Sequence, residues 1–283
     1  MIIANNCPEL LIARSSLQGS VALVTTMGNL HPGHLSLIEK AKLEADNVVV
    51  TIYINPLQFS VNEDLTSYPR TLDEDISKLE ALGIDLLFTP TDEDIYPEGM
   101  NNHTQVEVPS ISYLYCGANR KGHFIGVTTI VCKLFNLTKP DVAIFGNKDF
   151  QQLTIIRKMV TDLAMPIRLV GMPTYREESG LAMSSRNRYL SKDEKHQAAA
   201  LYQILSWSES QLKSKHTDFR KIEALALSQL EDKNFKVEYF TICRQDNLAP
   251  ATIDDKKLVI LCATKFAKTR LIDNIIIDLS TTL

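Results

Sequence analysis

The chain has 283 residues, 45 % hydrophobic and 23 % charged, with 30 Lys and Arg against 34 Asp and Glu, a net charge of −4. A length like this suits one large or two ordinary domains of roughly 100–200 residues each, able to fold without disulfide or metal staples. Eleven Gly and eleven Pro exclude a collagen-like or low-complexity chain, and the acidic balance disfavours nucleic acid and anionic membrane, both of which are bound through an excess of Lys and Arg.

The opening Met1-Ile2-Ile3-Ala4-Asn5-Asn6-Cys7-Pro8 has neither the basic start nor the apolar core of a secretory signal. No run approaches the roughly 18 apolar residues of a membrane helix, so a cytoplasmic location is expected. Buried strands are predicted at residues 21–27, 48–54, 85–89, 141–145 and 167–171. Helix spacings lie between them: Leu35, Leu37, Ile38 and Ala41 within 34–46, Leu72, Ile76 and Leu79 within 72–82, and Leu153, Ile156 and Val160 within 150–163. Strands alternating with helices of this length imply βαβ units, hence an α/β fold with a doubly wound parallel sheet and ligands at the C-terminal ends of its strands. Residues 127–137 are apolar nearly all round and predict a helix buried in the core or at a subunit contact.

After Pro173 the character changes: polar-rich helices are predicted at 192–212 and 218–231, then an alternating strand at 237–244 and two further apolar segments at 258–262 and 271–279. The reading is two domains, 1–174 and a smaller α+β domain at 175–283. Cys7, Cys116, Cys132, Cys243 and Cys262 form an odd, scattered set with no Cys-x-x-Cys, which suits a reducing compartment and argues against structural zinc.

Three segments carry chemistry. Thr25-Thr26-Met27-Gly28-Asn29-Leu30-His31-Pro32-Gly33-His34 stands where the first strand ends and the first long helix begins. A glycine-bearing strand-to-helix turn lets backbone N–H groups approach an anion, and two histidines three apart can donate to phosphate oxygens as a phosphoanhydride breaks. The same pair could merely cap the turn; a metal pair lacks further ligands at metal spacing. Phe145-Gly146-Asn147-Lys148-Asp149-Phe150-Gln151-Gln152 repeats the arrangement, with Lys148 suited to phosphate and Asp149 and Gln152 to hydroxyls, or with Asp149 as a simple helix cap. Gly180-Leu181-Ala182-Met183-Ser184-Ser185-Arg186-Asn187-Arg188 offers two hydroxyls and an arginine as an anion clamp, or a solvated loop. No Gly-x-Gly-x-x-Gly follows a strand and no Lys-Ser/Thr follows Gly33, so a nicotinamide or flavin oxidoreductase and a Walker-type ATPase are poorly supported.

An early His-x-Gly-His and a late Met-Ser-Ser-Arg around an α/β sheet are the mark of enzymes that transfer adenylate. More specifically, the sequence resembles the pantothenate synthetase (pantoate–β-alanine ligase) family. The resemblance rests on Met27-Gly28-Asn29-Leu30-His31-x-Gly33-His34, Asn55-Pro56-Leu57-Gln58-Phe59, Tyr68-Pro69-Arg70-Thr71, Gly122-His123-Phe124-x-Gly126-Val127-x-Thr129, and the segments 145–153 and 180–190. It implies a Rossmann-like nucleotidyltransferase domain that binds ATP and pantoate, a C-terminal lid domain and a cytoplasmic homodimer. The implied reaction is ATP plus pantoate giving pantoyl adenylate and pyrophosphate, after which β-alanine attacks to give pantothenate and AMP.

The resemblance further implies that Thr26, Met27, Gly28, Asn29, Leu30, His31, Pro32, Gly33 and His34 line the ATP site, with His34 as proton donor. Gln58 would serve both pantoate and β-alanine, and Gln152 and Met27 would contact pantoate. Gly146, Asn147, Lys148 and Asp149 would form the nucleotide loop, Tyr175 would lie near the adenine, and Met183, Ser184, Ser185 and Arg186 would close over the triphosphate. His34, His31, Lys148, Ser184, Ser185 and Arg186 would be the catalytic set. Arg120 and His123 would lie at the edge of the site. Mg²⁺ would ride on the β and γ phosphates with few protein ligands, Asp75 being the candidate among them. The chain departs from the family in having Thr25 where Pro is common and Asn147 where Glu is common. Another adenylyl- or cytidylyltransferase is the alternative enzyme, disfavoured because neutral Gln58 and Gln152 suit an unphosphorylated substrate. A nucleotide sensor is disfavoured because His34, Lys148 and Arg186 are all present.

Overall fold

The computed structural model describes residues 1–60, 63–214 and 218–280. The chain divides into two units: Met1–Asn147 with Ile155–Pro173, and Lys148–Thr154 with Thr174–Leu283. The segment Lys148–Thr154, which the sequence places in the first part, packs with the second unit.

Among the described residues the first unit runs β1 (Ile2–Ala4), α1 (Cys7–Ser16), β2 (Val21–Thr26), α2 (Pro32–Glu44), β3 (Asn47–Ile52), α3 (Leu72–Leu82), β4 (Leu86–Phe88), α4 (Asp92–Ile95), α5 (Cys116–Asn119), α6 (His123–Thr138) and β5 (Val142–Gly146). Helix α7 (Phe150–Asp162), which belongs to this unit from Ile155 onward, and β6 (Arg168–Met172) follow. The six strands are parallel in the order β1-β4-β3-β2-β5-β6. The chain winds outward from β2 through β3 and β4, then returns to the other side of β2 for β5 and β6. The switch point therefore lies between β2 and β5, where open α/β sheets place their ligands.

The central strands are continuous apolar runs because both sheet faces are covered. Ala22, Val24, Val48, Val50, Leu87, Val142 and Ile144 pack with Ile38 and Ala41 of α2 and Leu79 of α3, each large side chain contributing about 1.5–3 kcal/mol on burial. Predicted strands beginning at residues 85 and 141 start one residue later. Asp85 Oδ2 instead accepts the Val48 N–H and Asp141 Oδ2 the Val21 N–H, each at 2.7 Å, which locks the start of the neighbouring strand. The apolar mid-chain helix is a core helix: Val127, Ile130, Val131, Leu134 and Phe135 of α6 are at most 5 % exposed within the chain itself.

In the second unit, α8 (Lys192–Ala198), α9 (Ala200–Lys213) and α10 (Phe219–Glu231) precede an antiparallel sheet of β7 (Lys236–Arg244), β8 (Lys257–Phe266) and β9 (Thr269–Asp278). Leu201, Ile204 and Leu205 of α9 and Ile222 and Leu230 of α10 share a core with Ile242, Leu258, Ile260 and Ile277 of the sheet. The single helix expected at 192–212 is interrupted at Ala199, whose carbonyl takes the Tyr202 N–H at 3.1 Å as well as the Gln203 N–H at 3.3 Å, tightening the turn.

Candidate active site

Strand β2 ends at Thr26, whose hydroxyl donates to Thr51 O of β3 at 2.9 Å and accepts the Gly28 N–H at 3.2 Å. Gly28 has φ +81°, which only glycine adopts without strain. Beyond it, Asp75 of α3 holds the turn from beneath. This carboxylate is 0 % exposed, with Oδ2 accepting the Asn29 N–H at 2.7 Å and Oδ1 the Leu30 N–H at 2.8 Å. Thr71 donates a further bond to Oδ2 at 3.1 Å, and Lys78 Nζ bonds Leu30 O at 2.9 Å. Asn29, at φ 51°, is thereby held in the left-handed region.

Pro32 opens α2, its fixed φ suited to a first helical position. His31 is the N-cap, extended at φ −125°, and its carbonyl accepts the His34 N–H at 2.7 Å. The two imidazoles stack with centroids 4.0 Å apart and planes at 25°. The backbone N–H of His31 points at His34 Nδ1, 3.4 Å away. An Nδ1 that accepts leaves the proton of the neutral ring on Nε2, so His34 is set up as a donor through Nε2. Both histidines stand at a helix N-terminus, where backbone dipoles favour an anion.

Gln58 ends a 3₁₀ turn, Pro56–Gln58, that follows β3. Its Nε2 lies 3.0 Å from Met27 Sδ, which brings the glutamine to the turn after β2. Behind it, Asn55 is 1 % exposed and its Nδ2 donates to Gln58 Oε1 at 3.3 Å and to Gly126 O of α6 at 3.1 Å, while Tyr96 donates to Asn55 Oδ1 at 2.8 Å. His123 Nδ1 is 2.6 Å from Gln58 O, so it carries the proton and donates; Nε2 then accepts from Arg120 Nη1 at 2.8 Å. Arg120 clamps Glu63 with Nε–Oε1 2.5 Å and Nη2–Oε2 2.6 Å. Burial pushes the Glu63 carboxyl up, but the Arg120 hydrogen bonds and charge outweigh it and hold the group below the usual glutamate range. The block containing Asn55 and Gly126 is visible in the sequence; its task of bracing Gln58 is not.

The second unit carries the other basic and hydroxyl groups. Lys148 and Asp149 lie in a 3₁₀ turn and pair loosely, Nζ to Oδ1 at 3.7 Å. Gln152 follows in the first turn of α7, half-buried beside the buried Gln151. Tyr175 and Met183 face each other across a hairpin, the Met183 N–H donating to Tyr175 O at 2.9 Å, and Tyr175 is 46 % exposed. Ser184 caps the turn Ser185–Tyr189, its Oγ accepting the Arg186 N–H at 3.3 Å. Asn187, 4 % exposed, ties that turn to Glu177 Oε1 at 3.0 Å and to Ala182 O at 3.1 Å. Burial pushes the thiols of Cys7, Cys132 and Cys262 up, away from the nucleophilic thiolate.

No cluster of three or more His, Cys, Asp or Glu among the described residues is arranged to hold a metal ion. The bonds of Asp75 to the turn give it a task other than the metal contact the sequence suggested. A Mg²⁺ ion would have to be held chiefly by the oxygens of a bound triphosphate, in keeping with its preference for phosphate and water.

Comparison with known proteins identifies the family. The family model described as pantoate-beta-alanine ligase matches residues 4–276. The pantothenate synthetase of Idiomarina loihiensis is 54 % identical over 258 residues, covering 91 % of this chain and 92 % of the relative. That of Shewanella halifaxensis is 54 % identical over 261 residues, 92 % of each. The crystal structure of pantothenate synthetase from Thermus thermophilus matches with a TM-score of 0.91 at 40 % identity, covering 97 % of this chain and 99 % of that one. Pantoate-beta-alanine ligase from Francisella tularensis, solved with β,γ-ATP and β-alanine, matches with a TM-score of 0.81 at 35 % identity over 98 % and 97 %. Fold, turn chemistry and relatives along nearly the whole length agree: the chain belongs to the pantoate–β-alanine ligase family.

Proposed function

We propose that this chain condenses pantoate with β-alanine through a pantoyl adenylate, using the following residues. A carboxylate acylates an amine poorly because its leaving group would be oxide or hydroxide, and AMP is a far better one. A pantoate carboxylate oxygen attacks the α-phosphorus of ATP, the bond to the α,β-bridging oxygen breaks, and pyrophosphate leaves with that electron pair. The amine of β-alanine then attacks the acyl carbon, loses a proton, and AMP departs. The observation that carries this reading is the junction of Gln58 Nε2 with Met27 Sδ at 3.0 Å, which puts a neutral substrate-reading amide beside the histidine turn.

His34 donates through Nε2 to the oxygens on which charge grows, with His31 stacked against it. Lys148, Ser184, Ser185 and Arg186 supply donors to the triphosphate, Asp149 reads the ribose, Tyr175 stacks near the adenine, and Gly146 and Asn147 offer backbone to the nucleotide. Gln58 and Gln152 fix pantoate without neutralising its carboxylate, and Gln58 later holds β-alanine. Mg²⁺ accompanies ATP and screens the charge of its β and γ phosphates. The family resemblance, rather than α6, supports a homodimer, since α6 is covered by the chain's own core; sedimentation mass at micromolar concentration tests it. A cytoplasmic location follows from the same resemblance, and no described helix is long and apolar enough to cross a membrane.

The test is pyrophosphate–ATP exchange with Mg²⁺ and pantoate, β-alanine omitted. Exchange that requires pantoate establishes a reversible adenylate step. Absence of exchange, with no AMP released when β-alanine is added, overturns the reading.

A further inference from the structure

From Leu271 to Ile277 strand β9 is apolar except at Asp273 and Asn274, which are 3 % and 5 % exposed. Two adjacent buried polar groups in a strand cost desolvation that an aliphatic pair would avoid. Each is spent on a different loop. Asp273 takes a bidentate bond from Arg176, Nη1–Oδ2 2.6 Å and Nη2–Oδ1 2.9 Å, and its Oδ1 also accepts the Asn274 N–H at 2.8 Å. Arg176 Cζ stands over the Tyr202 ring, 3.7 Å from its centroid, and Nη1 donates to Gly180 O at 3.1 Å. It thus fixes both arms of the hairpin that leads into Ser184, Ser185 and Arg186. Asn274 Nδ2 donates to Lys148 O at 2.8 Å.

We infer that Asp273 and Asn274 are positioning residues. One braces the hairpin through Arg176, the other holds the backbone of Lys148, so that two catalytic loops distant in sequence share one rigid strand. The inference rests on the functional reading above for what those loops do. A stabilising role alone does not explain the arrangement, because a buried ion pair is often matched or exceeded in stability by apolar residues of similar volume. What an apolar pair could not do is hold a carbonyl and a guanidinium at fixed places. Burial pushes the Asp273 carboxyl up, and the Arg176 bonds pull against that push, consistent with a pair that is held by its partners rather than by water.

Asn274→Ala removes the Nδ2 bond to Lys148 O. In pantoate-dependent pyrophosphate exchange its turnover should fall about 10- to 100-fold, since small displacements of a reacting group cost that much. The KM for pantoate should stay within about twofold, because Gln58 is untouched. Independently of catalysis, competitive acylation by acetic anhydride, read by mass spectrometry, should show a changed reactivity of the Lys148 amine relative to the exposed lysines. Should Asn274→Ala not fold, Asn274→Ser, too short to reach Lys148 O, is read the same way. A folded variant with wild-type turnover and wild-type Lys148 acylation overturns the inference, as does a loss confined to the pantoate KM. If the wild-type enzyme shows no pantoate-dependent exchange, the functional reading falls. The acylation result then decides the positioning role alone, unchanged Lys148 reactivity overturning it.

Discussion

Gly126 of α6 faces the carbonyl of Leu57 so closely that a Cβ on it would stand 2.3 Å from that oxygen and 2.9 Å from the Gln58 nitrogen. The helix can lie against the 3₁₀ turn only because position 126 has no side chain, and that contact sets the height at which Gln58 is presented. Gly126→Ala must push the turn outward. Overpacking of this kind costs about 1–3 kcal/mol, several degrees in melting temperature for a domain of this size. Pantoate KM should rise while ATP KM stays near wild type. Unchanged melting and unchanged pantoate KM would show that the turn yields without consequence.

His34→Ala should lower the adenylation rate by about 10²–10⁴, the range for an acid–base or electrostatic group at a reacting centre. Single-turnover measurement of AMP or adenylate formation checks it. Wild-type rates would refute the donor role that the His31 N–H to His34 Nδ1 contact sets up.

Asp75→Asn replaces one of two oxygens that accept the Asn29 and Leu30 amides with an amide nitrogen, which cannot accept. Leaving one of these N–H groups unpaired should cost about 1–3 kcal/mol. Activity should drop through disorder of the turn, with the Mg²⁺ concentration for half-maximal exchange unchanged. A marked rise in that concentration would restore Asp75 as a metal contact.

The Glu63–Arg120 pair makes stability depend on pH in a defined direction. Because the folded-state pKa of Glu63 is depressed, its contribution is present above the ordinary glutamate value of 4.5 and is lost as pH falls through the lowered value. Wild type should therefore melt higher than Glu63→Gln at about pH 6, and the gap should narrow as the buffer is taken to about pH 3. A gap that does not change with pH would remove the charge from the explanation. The pair is partly exposed, so the difference should be modest.

Much of the first unit is legible in the sequence because its physics is local. β-branched runs and helix periods mark β2, β3, β5, α2 and α3, and the glycine-bearing turns sit at strand ends. Strand β1 and helix α1 are not marked in this way: Ile2–Ala4 is only three residues long, and a strand so short leaves no alternation to read. The residues of the histidine turn and Gln58 are readable as chemistry, but their braces are not. Asp75 reads as an acid available to a metal, and its bonds to two backbone amides leave no mark in the sequence. Asp273 and Asn274 do carry a signal, two polar residues interrupting the apolar run from Leu271 to Ile277. Their partners, Arg176 and Lys148, lie about a hundred residues away in the chain, beyond what periodicity can connect.

The edge strand β1 pairs Ile2, Ile3 and Ala4 with Leu86, Leu87 and Phe88 of β4. During synthesis Ile2, Ile3 and Ala4 therefore wait for residues more than eighty positions later before they can join the sheet. At about 5–20 residues per second that is a delay of roughly 4–16 s. Meanwhile β2 and β3, joined by α2, can already pair. The nascent chain begins its sheet from the middle, and β1 is sewn on as a late hem.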